Sequence, residues 1–405
     1  MSLSFIAEMQ VGLPEYITGT TRFQNINKLI SFNANWKKES YENLRDLLIY
    51  MKKIGASDID FGGPGSLERV WYRVYGEKEI NDEVPRYIND EVAAILLSIL
   101  TDDQKVTLFN NKNVDFSLGM VLEEGDAPSR FRGDVYYENN SLAANFRRIN
   151  EDLFNIKFLN FPEIINKRFN LHYEKTGLFL VTGITGSGKS CTLDSIVDLN
   201  NHSNKAHIII IGNPIEFVHQ SDKCIIRHRE LGEDVLSFQE GTIQSLRQDP
   251  DIIIVGEMRD PGTIATVLEA TDSGHKVFST LHTSSAIDSI HRIIAEFPPL
   301  EQERVRYRLA DTLKVIISQK LVPDKKGKLL MCKEILSVDA SVQAAIRNKN
   351  IGEIYQMITE GKKKGMLTLE QDLFNNYRNG LLTKETALNF ANNKKRMQHL
   401  LTYST

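Results

Sequence analysis

The amino-acid sequence predicts an α/β protein with a doubly wound core, a smaller α+β domain before it and a helical region after it. The core is predicted from four apolar runs that alternate with helical stretches, at residues 178–181, 208–211, 252–255 and 277–281. Short, continuous apolar runs are typical of parallel strands that helices cover on both faces. A chain of 405 residues, 41% of them apolar, also exceeds the size of one ordinary core, so we expect two or three domains.

The first 150 residues predict the smaller domain. Residues 1–40 follow no steady period, because four asparagines interrupt it, and we assign them only as an extension of uncertain structure. Apolar residues at three- and four-residue steps then predict a helix that stops at Gly55. A small α+β domain is therefore predicted over residues 41–150, with a helix at 92–100 and β-rich runs at 70–75, 114–118, 132–137 and 145–149.

The remaining boundaries follow from the change in pattern after residue 150. Residues 151–170 are predicted to form a linker, residues 171–286 the α/β core and residues 287–405 a helical region. In open α/β sheets, ligands bind beyond the carboxyl ends of the strands. Each candidate motif of the core falls at such a position, so we expect one functional site at this edge of the sheet.

One motif of the core predicts a nucleotide site. Residues 183–190 read Gly-Ile-Thr-Gly-Ser-Gly-Lys-Ser and match the phosphate-binding loop pattern at every fixed position. Glycines let successive backbone N–H groups point at phosphate oxygens, Lys189 can reach the terminal phosphates, and the Ser190 hydroxyl can hold Mg²⁺. The positive end of the following helix attracts the same phosphates. The alternative is an ordinary glycine turn before a helix, which the fixed Lys-Ser pair disfavours.

Two polar side chains follow apolar strands of the predicted core. Glu257 comes directly after one strand, where phosphoryl transfer needs a carboxylate to orient water or to complete a metal shell. We therefore take Glu257 as the candidate catalytic carboxylate, with an ordinary ion pair to Arg259 as the alternative. His282 begins a cluster of imidazole and hydroxyl donors that could sense a γ-phosphate, although a single histidine more often only bonds to backbone.

Composition excludes several classes of partner. The formal net charge of −4 gives no global reason to bind nucleic acid or anionic lipid. The three cysteines are widely spaced, without the pattern of a zinc site or a disulfide framework, and they predict reduced thiols in a cytosol. No apolar run approaches the roughly 18 residues of a membrane span. We therefore expect no nucleic-acid partner and no direct insertion into a membrane.

The motifs together resemble the hexameric secretion ATPases, most closely their PilT-like branch, the retraction motors of type IV pili. Residues 180–190 are similar to the Walker A strand and loop of that family, residues 249–260 to its Walker B segment, and residues 280–286 to its His box. The resemblance extends from about residue 41 to about residue 392. Shorter matches within it are residues 56–58 and 130–132 in the amino-terminal domain and residues 345–348 in a helix associated with retraction.

The resemblance implies a ring of six identical subunits, each holding ATP and Mg²⁺ between a PAS-like amino-terminal domain and a RecA-like core. It also implies that arginines of the amino-terminal domain close on the phosphates. Arg130, Arg132 and Arg147 occupy the matching positions, and solvated surface charges are the alternative for each of them. The nucleotide-binding residues predicted in this way are Gly183, Thr185, Gly186, Ser187, Gly188, Lys189, Ser190 and Cys191.

The same resemblance implies where the chain works and with what partner. An inner-membrane platform protein of a pilus or secretion system would couple to the ring. The chain itself would be cytoplasmic and peripheral to the inner membrane through that partner. The predicted function is an ATP-hydrolysing motor that drives pilus retraction and hence twitching motility. Two alternatives stay open, a DotB-like ATPase of a type IV secretion or conjugation system and a weakly hydrolysing ATP-binding scaffold. A RecA-type DNA motor is a weaker third, because the sequence lacks a basic stripe with interleaved aromatics.

One departure from the family concerns the acidic box after the second core strand. The box usually carries adjacent Glu-Asp before Pro-Ile-Glu, whereas residues 212–216 here read Gly-Asn-Pro-Ile-Glu. Glu216 is the only acid of the box that remains, and it is a candidate metal ligand beside Glu257. A second departure is Asn140, where the retraction proteins often have an arginine. These changes are the reason to keep the scaffold alternative.

Overall fold

Two compact units make up the computed structural model, which describes residues 3–74, 76–125, 127–149 and 153–403. The chain divides between residues 151 and 152. The predicted domain boundary between residues 150 and 151 lies outside the described residues, as does residue 75, the end of one predicted strand. Each unit is built on one sheet.

The first unit is a six-stranded antiparallel sheet with helices against its apolar face. The strand order is β3-β2-β1-β6-β5-β4. The strands are β1 Asp58–Gly62, β2 Trp71–Val74, β3 Glu77–Ile80, β4 Asn113–Met120, β5 Ser129–Glu138 and β6 Ser141–Arg148. The helices are α1 Ile6–Val11, α2 Gly19–Phe32, α3 Ala34–Lys53, α4 Asn89–Ile99 and α5 Asp102–Asn111.

Alternation along β5 distinguishes the two faces of this sheet. Phe131 and Val135 are buried in the core, whereas Arg130 and Arg132 alternate with them and lie on the opposite face. Cross-strand pairing places Arg147 of β6 opposite Arg132, on the same face. The sheet therefore presents a polar, arginine-bearing face on the side away from its core.

Residues 3–40 are largely helical and contribute to the core of the first unit. The buried side chains of α2 are Phe23, Ile26 and Ile30. Helix α3 begins at Ala34, so the predicted start of the domain at residue 41 lies inside a helix. The side-chain oxygen of Asn33 accepts hydrogen bonds from the backbone N–H groups of the next turn and caps α3. One of the asparagines that interrupt the sequence pattern is thus a helix start signal.

The second unit is a seven-stranded sheet whose neighbouring strands are parallel except for β12 and β13. The strand order is β13-β12-β7-β11-β10-β8-β9. The strands are β7 Gly177–Thr182, β8 His207–Gly212, β9 Ile225–Glu230, β10 Ile252–Val255, β11 Lys276–Leu281, β12 Leu313–Pro323 and β13 Leu329–Ser337. The four predicted apolar runs are β7, β8, β10 and β11, and they lie side by side.

Helices cover both faces of this parallel sheet. Leu178 and Leu180 of β7 pack in one apolar cluster, and Phe179 and Val181 of the same strand pack in another. The first cluster includes side chains from α9 (Pro261–Asp272) and α10 (Ala286–Ala295), and the second includes side chains from α7 (Lys189–Ser203). The predicted doubly wound α/β core is confirmed. The shorter α8 (Phe238–Ser245) precedes β10.

Two predictions about the flanks of the core need correction. The predicted linker, residues 151–170, contains α6 (Glu163–Phe169) within its described part, and Ile165 and Phe169 of that helix are buried against the sheet. Residues 287–405 are not helical throughout, because β12 and β13 extend the sheet at one edge. The β-branched residues of β12 were the available strand signal, but β12 follows a helix directly without an intervening Gly or Pro.

The rest of the carboxyl-terminal region is helical. A third apolar cluster of the second unit contains Leu373 and Met397 from these helices together with Val322 of β12. Helices are α11 Pro299–Thr312, α12 Ala340–Arg347, α13 Ile354–Glu360, α14 Leu369–Arg378, α15 Lys384–Phe390 and α16 Lys394–Tyr403.

Candidate nucleotide site

The carboxyl ends of four neighbouring parallel strands carry the predicted site. In the order β7-β11-β10-β8, they are followed by the glycine-rich loop, His282, Glu257 and the 212–216 segment. Parallel strands end at the same edge of a sheet, so these segments share one edge. The structure thus brings together the motifs that the sequence places up to about a hundred residues apart.

The glycine-rich loop between β7 and α7 has a backbone that only glycine adopts readily. Gly183, Gly186 and Gly188 have φ angles of 151°, 76° and 85°. A Cβ added to Gly183 would lie 2.4 Å from the Ser187 Oγ atom, so there is no room for a side chain at that position. Helix α7 begins at Lys189 and directs its N-terminal N–H groups toward this loop. The loop therefore has the geometry of an anion cradle.

Lys189 bends over the loop that precedes it. Its Nζ atom donates to the backbone oxygens of Gly183 at 2.9 Å and Ile184 at 3.2 Å. Burial lowers the pKa of Lys189, and the charges of Glu257 and Glu216 act in the opposite direction. Among the other predicted contacts, Thr185 is exposed, whereas Ser190 and Cys191 are half-buried at the start of α7. Burial raises the pKa of the Cys191 thiol, so that thiol is uncharged at neutral pH.

The Glu257 carboxylate pairs with the guanidinium group of Arg259 and the imidazole of His282. Its Oε1 atom lies 3.2 Å from the His282 Nε2 atom and 2.5 Å from the Arg259 Nε atom. The Glu257 side chain is 16% exposed, compared with 70% for Arg259, so the carboxylate is the sheltered member of the pair. Burial lowers the pKa of His282, with a further lowering from the Lys189 charge, and favours the neutral imidazole. A neutral His282 can donate from Nε2 to the Glu257 carboxylate.

Threonine and serine hydroxyls of β11 fix the turn that carries Glu257. The Thr280 Oγ1 atom donates to the Gly256 oxygen at 2.7 Å, and the Met258 N–H donates to the Thr280 oxygen at 3.2 Å. One residue earlier on each strand, the Ser279 Oγ atom donates to the Val255 oxygen at 2.7 Å. These bonds tie Glu257 and His282 to adjacent strands and set their separation.

The 212–216 segment after β8 is held by its neighbours. The Ile215 N–H donates to the Glu230 Oε2 atom at 3.0 Å. Beyond it, the His219 Nε2 atom lies 3.1 Å from the Oδ1 atom of Asp194 on α7. Glu216 is exposed, and its charge opposes the burial that lowers the pKa of Lys189 and adds to the burial that raises the pKa of Cys191, both at the start of α7. Sequence reasoning gave no signal for the contact between His219 and Asp194.

The three predicted arginines belong to the first unit. An Nη2–H of Arg130 donates to the Ser117 Oγ atom at 3.1 Å, and Arg132 forms a bidentate pair with Asp115. The Arg147 Nε atom lies 2.8 Å from the Oδ1 atom of Asp58, and the Arg147 side chain is 60% exposed. Their approach to phosphate stays a prediction.

Two residues of β12 were missed by sequence reasoning: Ser318 contacts the end of β7, and Gln319 contacts the glycine-rich loop that follows. The Thr182 Oγ1 atom donates to the Ser318 Oγ atom at 2.9 Å. The next residue, Gln319, is 1% exposed, and its Nε2 atom donates to the backbone oxygen of Ser187 at 2.8 Å. More than a hundred residues separate Gln319 from the loop, and no spacing rule connects a strand glutamine with a phosphate loop. Only the pairing of β12 with β7 reveals the contact.

Two further features bear on the type of site. Within the described residues, no group of three or more His, Cys, Asp or Glu side chains is arranged to hold a metal ion by itself. Over the same parts of the chain, every helix is too short or too polar to cross a lipid bilayer.

Comparison with known proteins places these features in one family. The family model described as type II/IV secretion system protein matches residues 143–399. The twitching motility protein of Neisseria gonorrhoeae is 38% identical over 327 residues, which are 80% of this chain and 85% of that protein. The type IV pilus retraction ATPase PilT of Pseudomonas aeruginosa PAO1 is 36% identical over 348 residues, 85% of this chain and 97% of that protein. A crystal structure of the pilus retraction motor PilT with bound ADP has a TM-score of 0.78 at 36% identity and covers 88% of this chain and 98% of that one.

Proposed function

This chain belongs to the type II/IV secretion system protein family, and we propose that it is a Mg²⁺-dependent ATPase motor that drives retraction of a type IV pilus. The observation that carries the proposal is the convergence of Lys189, Glu257 and His282 on one edge of the parallel sheet. A phosphate loop and a sheltered carboxylate are groups that phosphoryl transfer to water uses, and a neutral imidazole beside them can hold that carboxylate in place.

The loop and α7 would bind the phosphates of ATP. Positive φ angles at Gly183, Gly186 and Gly188 let the backbone wrap so that its N–H groups face one point. Lys189, which now donates to two loop carbonyls, can turn its ammonium group to the terminal phosphates instead. The half-buried lysine meets phosphate in surroundings drier than bulk water, which strengthens the attraction.

The donors present also fit Mg²⁺. Magnesium in nucleotide sites is held by one or two protein oxygens together with substrate phosphates and water, and not by a complete protein cage. The half-buried Ser190 at the start of α7 offers a hydroxyl, and Glu216 and Glu257 offer carboxylates whose charges act on Lys189. When bound, Mg²⁺ would neutralise charge on the β- and γ-phosphate oxygens.

Glu257 would position and deprotonate the attacking water. Its carboxylate is sheltered, accepts from His282 and pairs with Arg259, so its orientation is set by two partners. A carboxylate in this position can accept a proton from water as the oxygen attacks the γ-phosphorus atom. The neutral His282 would hold Glu257 in place and report on the γ-phosphate from the adjacent strand end.

The motor step requires more than one chain. We propose a homohexameric ring in which Arg130, Arg132 and Arg147 of the polar sheet face close on the phosphates. Guanidinium groups suit this task because they stay charged and bond phosphate oxygens in pairs. Hydrolysis removes the charge that holds them, so each turnover biases a domain rotation. A membrane platform protein would convert that rotation into force on a pilus, which would keep the chain cytoplasmic and peripheral to the inner membrane.

Two substitutions test the ATPase assignment. Glu257→Gln should retain ATP binding but lower turnover by about 10²- to 10⁴-fold, because the amide cannot accept the proton of water. Lys189→Ala should lose ATP binding, because the loop loses its charge. Phosphate release measures turnover, and calorimetric titration measures binding. Matched controls are Glu269→Gln and Lys205→Ala, which alter exposed residues of the same unit. Full hydrolysis by Glu257→Gln would remove Glu257 from its proposed role.

A weakly hydrolysing ATP-binding scaffold is the second candidate, favoured by the missing acids at Gly212 and Asn213. A Cβ at Gly212 would lie 2.8 Å from the Cδ1 atom of Ile215, so an acid at that position must first displace Ile215. Asn213 is exposed, so its replacement by an acidic residue should meet no steric obstacle of this kind. If the wild type releases phosphate slowly, Asn213→Asp should accelerate it; an unchanged slow rate would mean that this acid does not limit turnover.

A DotB-like role in type IV secretion or conjugation remains an alternative to retraction. The two roles use the same chemistry and differ in the coupled machine. Genes for pilins and a platform protein next to this gene would support retraction, whereas genes for a coupling protein and a core complex would support secretion. Loss of twitching motility after deletion of the gene tests retraction directly.

A further inference from the structure

Gln319 of β12 lies directly beneath the glycine-rich loop. It is 1% exposed and makes two hydrogen bonds with its side-chain amide. The Nε2 atom donates to the backbone oxygen of Ser187 at 2.8 Å, and the Oε1 atom accepts from the Thr192 hydroxyl of α7 at 3.0 Å. Only this orientation of the amide is consistent with both partners, since a flipped amide would set two oxygens against each other at Ser187.

The packing around Gln319 leaves the loop little freedom on that side. A Cβ on Gly183 would lie 2.5 Å from the Gln319 backbone oxygen, and a Cβ on Gly188 would lie 3.4 Å from its Nε2 atom. The neighbouring Ser318 accepts from Thr182, the last residue of β7. The strand β12 therefore supports the loop at its start, its middle and its end.

The bond to Ser187 sets the direction of one peptide plane. The C=O of Ser187 and the N–H of Gly188 belong to the same planar trans peptide and point in opposite directions. Because Gln319 draws the Ser187 oxygen toward β12, the Gly188 N–H is turned away from β12, to the open side of the loop. Gly188 has a φ of 85° and no side chain, so its own backbone preferences do not prevent this peptide from flipping.

We propose that Gln319 is a positioning residue that locks the Ser187–Gly188 peptide with its N–H toward the phosphates of the bound nucleotide. This inference rests on the proposed function, because it assigns the loop to phosphate binding. Without the Gln319 amide, the flipped peptide would aim the Ser187 oxygen at the phosphates, where two electronegative groups repel each other. The loop would then bind phosphate only in the fraction of molecules with the unflipped peptide.

The test compares three variants at position 319 and one at its partner. Gln319→Met and Gln319→Leu keep the size of the side chain but lose both bonds. Gln319→Glu keeps the acceptor for Thr192 and presents a carboxylate oxygen to Ser187. Thr192→Val releases the other end of the amide and leaves the donor to Ser187. We expect the dissociation constant for ADP, measured with Mg²⁺ by calorimetric titration, to rise about tenfold for Met and Leu, more for Glu, and less than threefold for Val.

Steady-state kinetics separate positioning from general damage. If Gln319 orients the loop for binding, KM for ATP should rise about tenfold while kcat stays within about threefold of the wild type. Gln371→Leu is the matched control, because Gln371 also donates to a backbone oxygen, that of Thr359 at 3.1 Å, and accepts at its Oε1 atom, from Thr368 at 3.0 Å. Circular dichroism and thermal unfolding identify the variants that fold.

The outcomes distinguish this inference from the proposed function. A wild-type protein that binds neither ADP nor ATP at millimolar concentration would overturn the proposed function and this inference with it. A wild type that binds, together with any folded Gln319 variant of unchanged ADP affinity, would overturn the role of Gln319 alone. An equal loss of affinity in Gln371→Leu would reduce Gln319 to a structural residue. If no position-319 variant folds, Thr192→Val must lose less than threefold in ADP affinity, and a loss of threefold or more there would contradict the assignment.

Discussion

Lys276 is a buried lysine at the start of β11, on the opposite edge of the sheet from the nucleotide site. Its Nζ atom donates to the backbone oxygens of Arg168 and Glu174, both at 2.7 Å, and lies 4.6 Å from the centre of the Phe179 ring. Burial lowers the pKa of Lys276 to about 7, although the Glu174 charge acts in the opposite direction. The lysine is therefore anchored by carbonyls whether or not it carries a charge.

Lys276 should make stability depend on pH above neutrality. The folded chain releases this proton near pH 7, whereas the unfolded chain holds it to about pH 10.4. Between these pH values the unfolded chain binds more protons than the folded chain. The free energy of unfolding therefore rises with pH, by at most about 1.4 kcal/mol per pH unit. Urea unfolding at pH 7 and pH 9 should show a smaller rise in Lys276→Met than in wild type. Lys175→Met, at an exposed position, should keep the full rise, and equal rises in wild type and Lys276→Met would contradict the assignment.

At the scale of elements, the segment between α15 and α16 connects the carboxyl-terminal helices to the end of the sheet that carries the candidate nucleotide site. The Asn392 Nδ2 atom donates to the Ser284 oxygen at 3.2 Å, two residues after His282. Its Oδ1 atom accepts from the Nζ atom of Lys320 at 2.6 Å. Lys320 follows Gln319 in β12, so consecutive residues of one strand contact the phosphate loop and the carboxyl-terminal segment.

Removal of the Asn392 side chain should slow turnover without weakening nucleotide binding. Asn392→Ala frees the loop that positions His282, so we expect kcat to fall about three- to tenfold and the ADP dissociation constant to stay within about twofold. Phosphate-release kinetics and calorimetric titration measure the two quantities. Asn375→Ala, at an exposed position of α14, is the control. A loss of ADP affinity equal to the loss in kcat would contradict this division between binding and turnover.

The same elements show what a sequence pattern can and cannot predict. The strands β7, β8, β10 and β11 were predicted because burial on both faces requires continuous apolar runs. The motifs beyond them were predicted because their spacing is local. In contrast, β12 was missed because no Gly or Pro separates it from α11. Gln319 was missed because its role depends on a contact between strands that are far apart in the sequence. Propensity and spacing describe neighbours in the chain, whereas tertiary contacts are set by strand order.

At the scale of the whole molecule, each unit has its own apolar core, and the amino-terminal helices belong to the first. Arg22 of α2 makes a bidentate pair with Asp90 of α4, with both distances 2.7 Å. Asp90 also accepts from Gln10, and the Arg22 charge and hydrogen bonds hold the pKa of Asp90 below its usual value against the opposing effect of burial. This partly buried network fixes residues that the sequence pattern left unassigned.

Loss of Asp90 should destabilise the first unit selectively. Asp90→Ala takes the bidentate partner from the partly buried Arg22 and leaves it only its Nη1 bonds to the Pro14 and Ile17 oxygens, which should cost about 1–3 kcal/mol. The only two tryptophans of the chain, Trp36 and Trp71, both lie in the first unit, so tryptophan fluorescence reports its unfolding alone. We expect a lower urea midpoint by this probe. Asp46→Ala, which removes an exposed acid of α3, should leave the midpoint unchanged. An unchanged midpoint in Asp90→Ala would mean that the helices are held by apolar packing alone.

The three cysteines of the chain have a practical consequence for spectroscopy. All lie beyond residue 190, in the second unit, and burial raises the pKa of each of them, in the case of Cys332 to about 12. Maleimide dyes react through the thiolate, so these native positions should be labelled slowly at neutral pH. A single cysteine introduced on the surface of the first unit would then carry a dye without prior removal of the native ones. Single-molecule fluorescence could in this way follow the arginine-bearing unit during turnover in an otherwise unaltered chain.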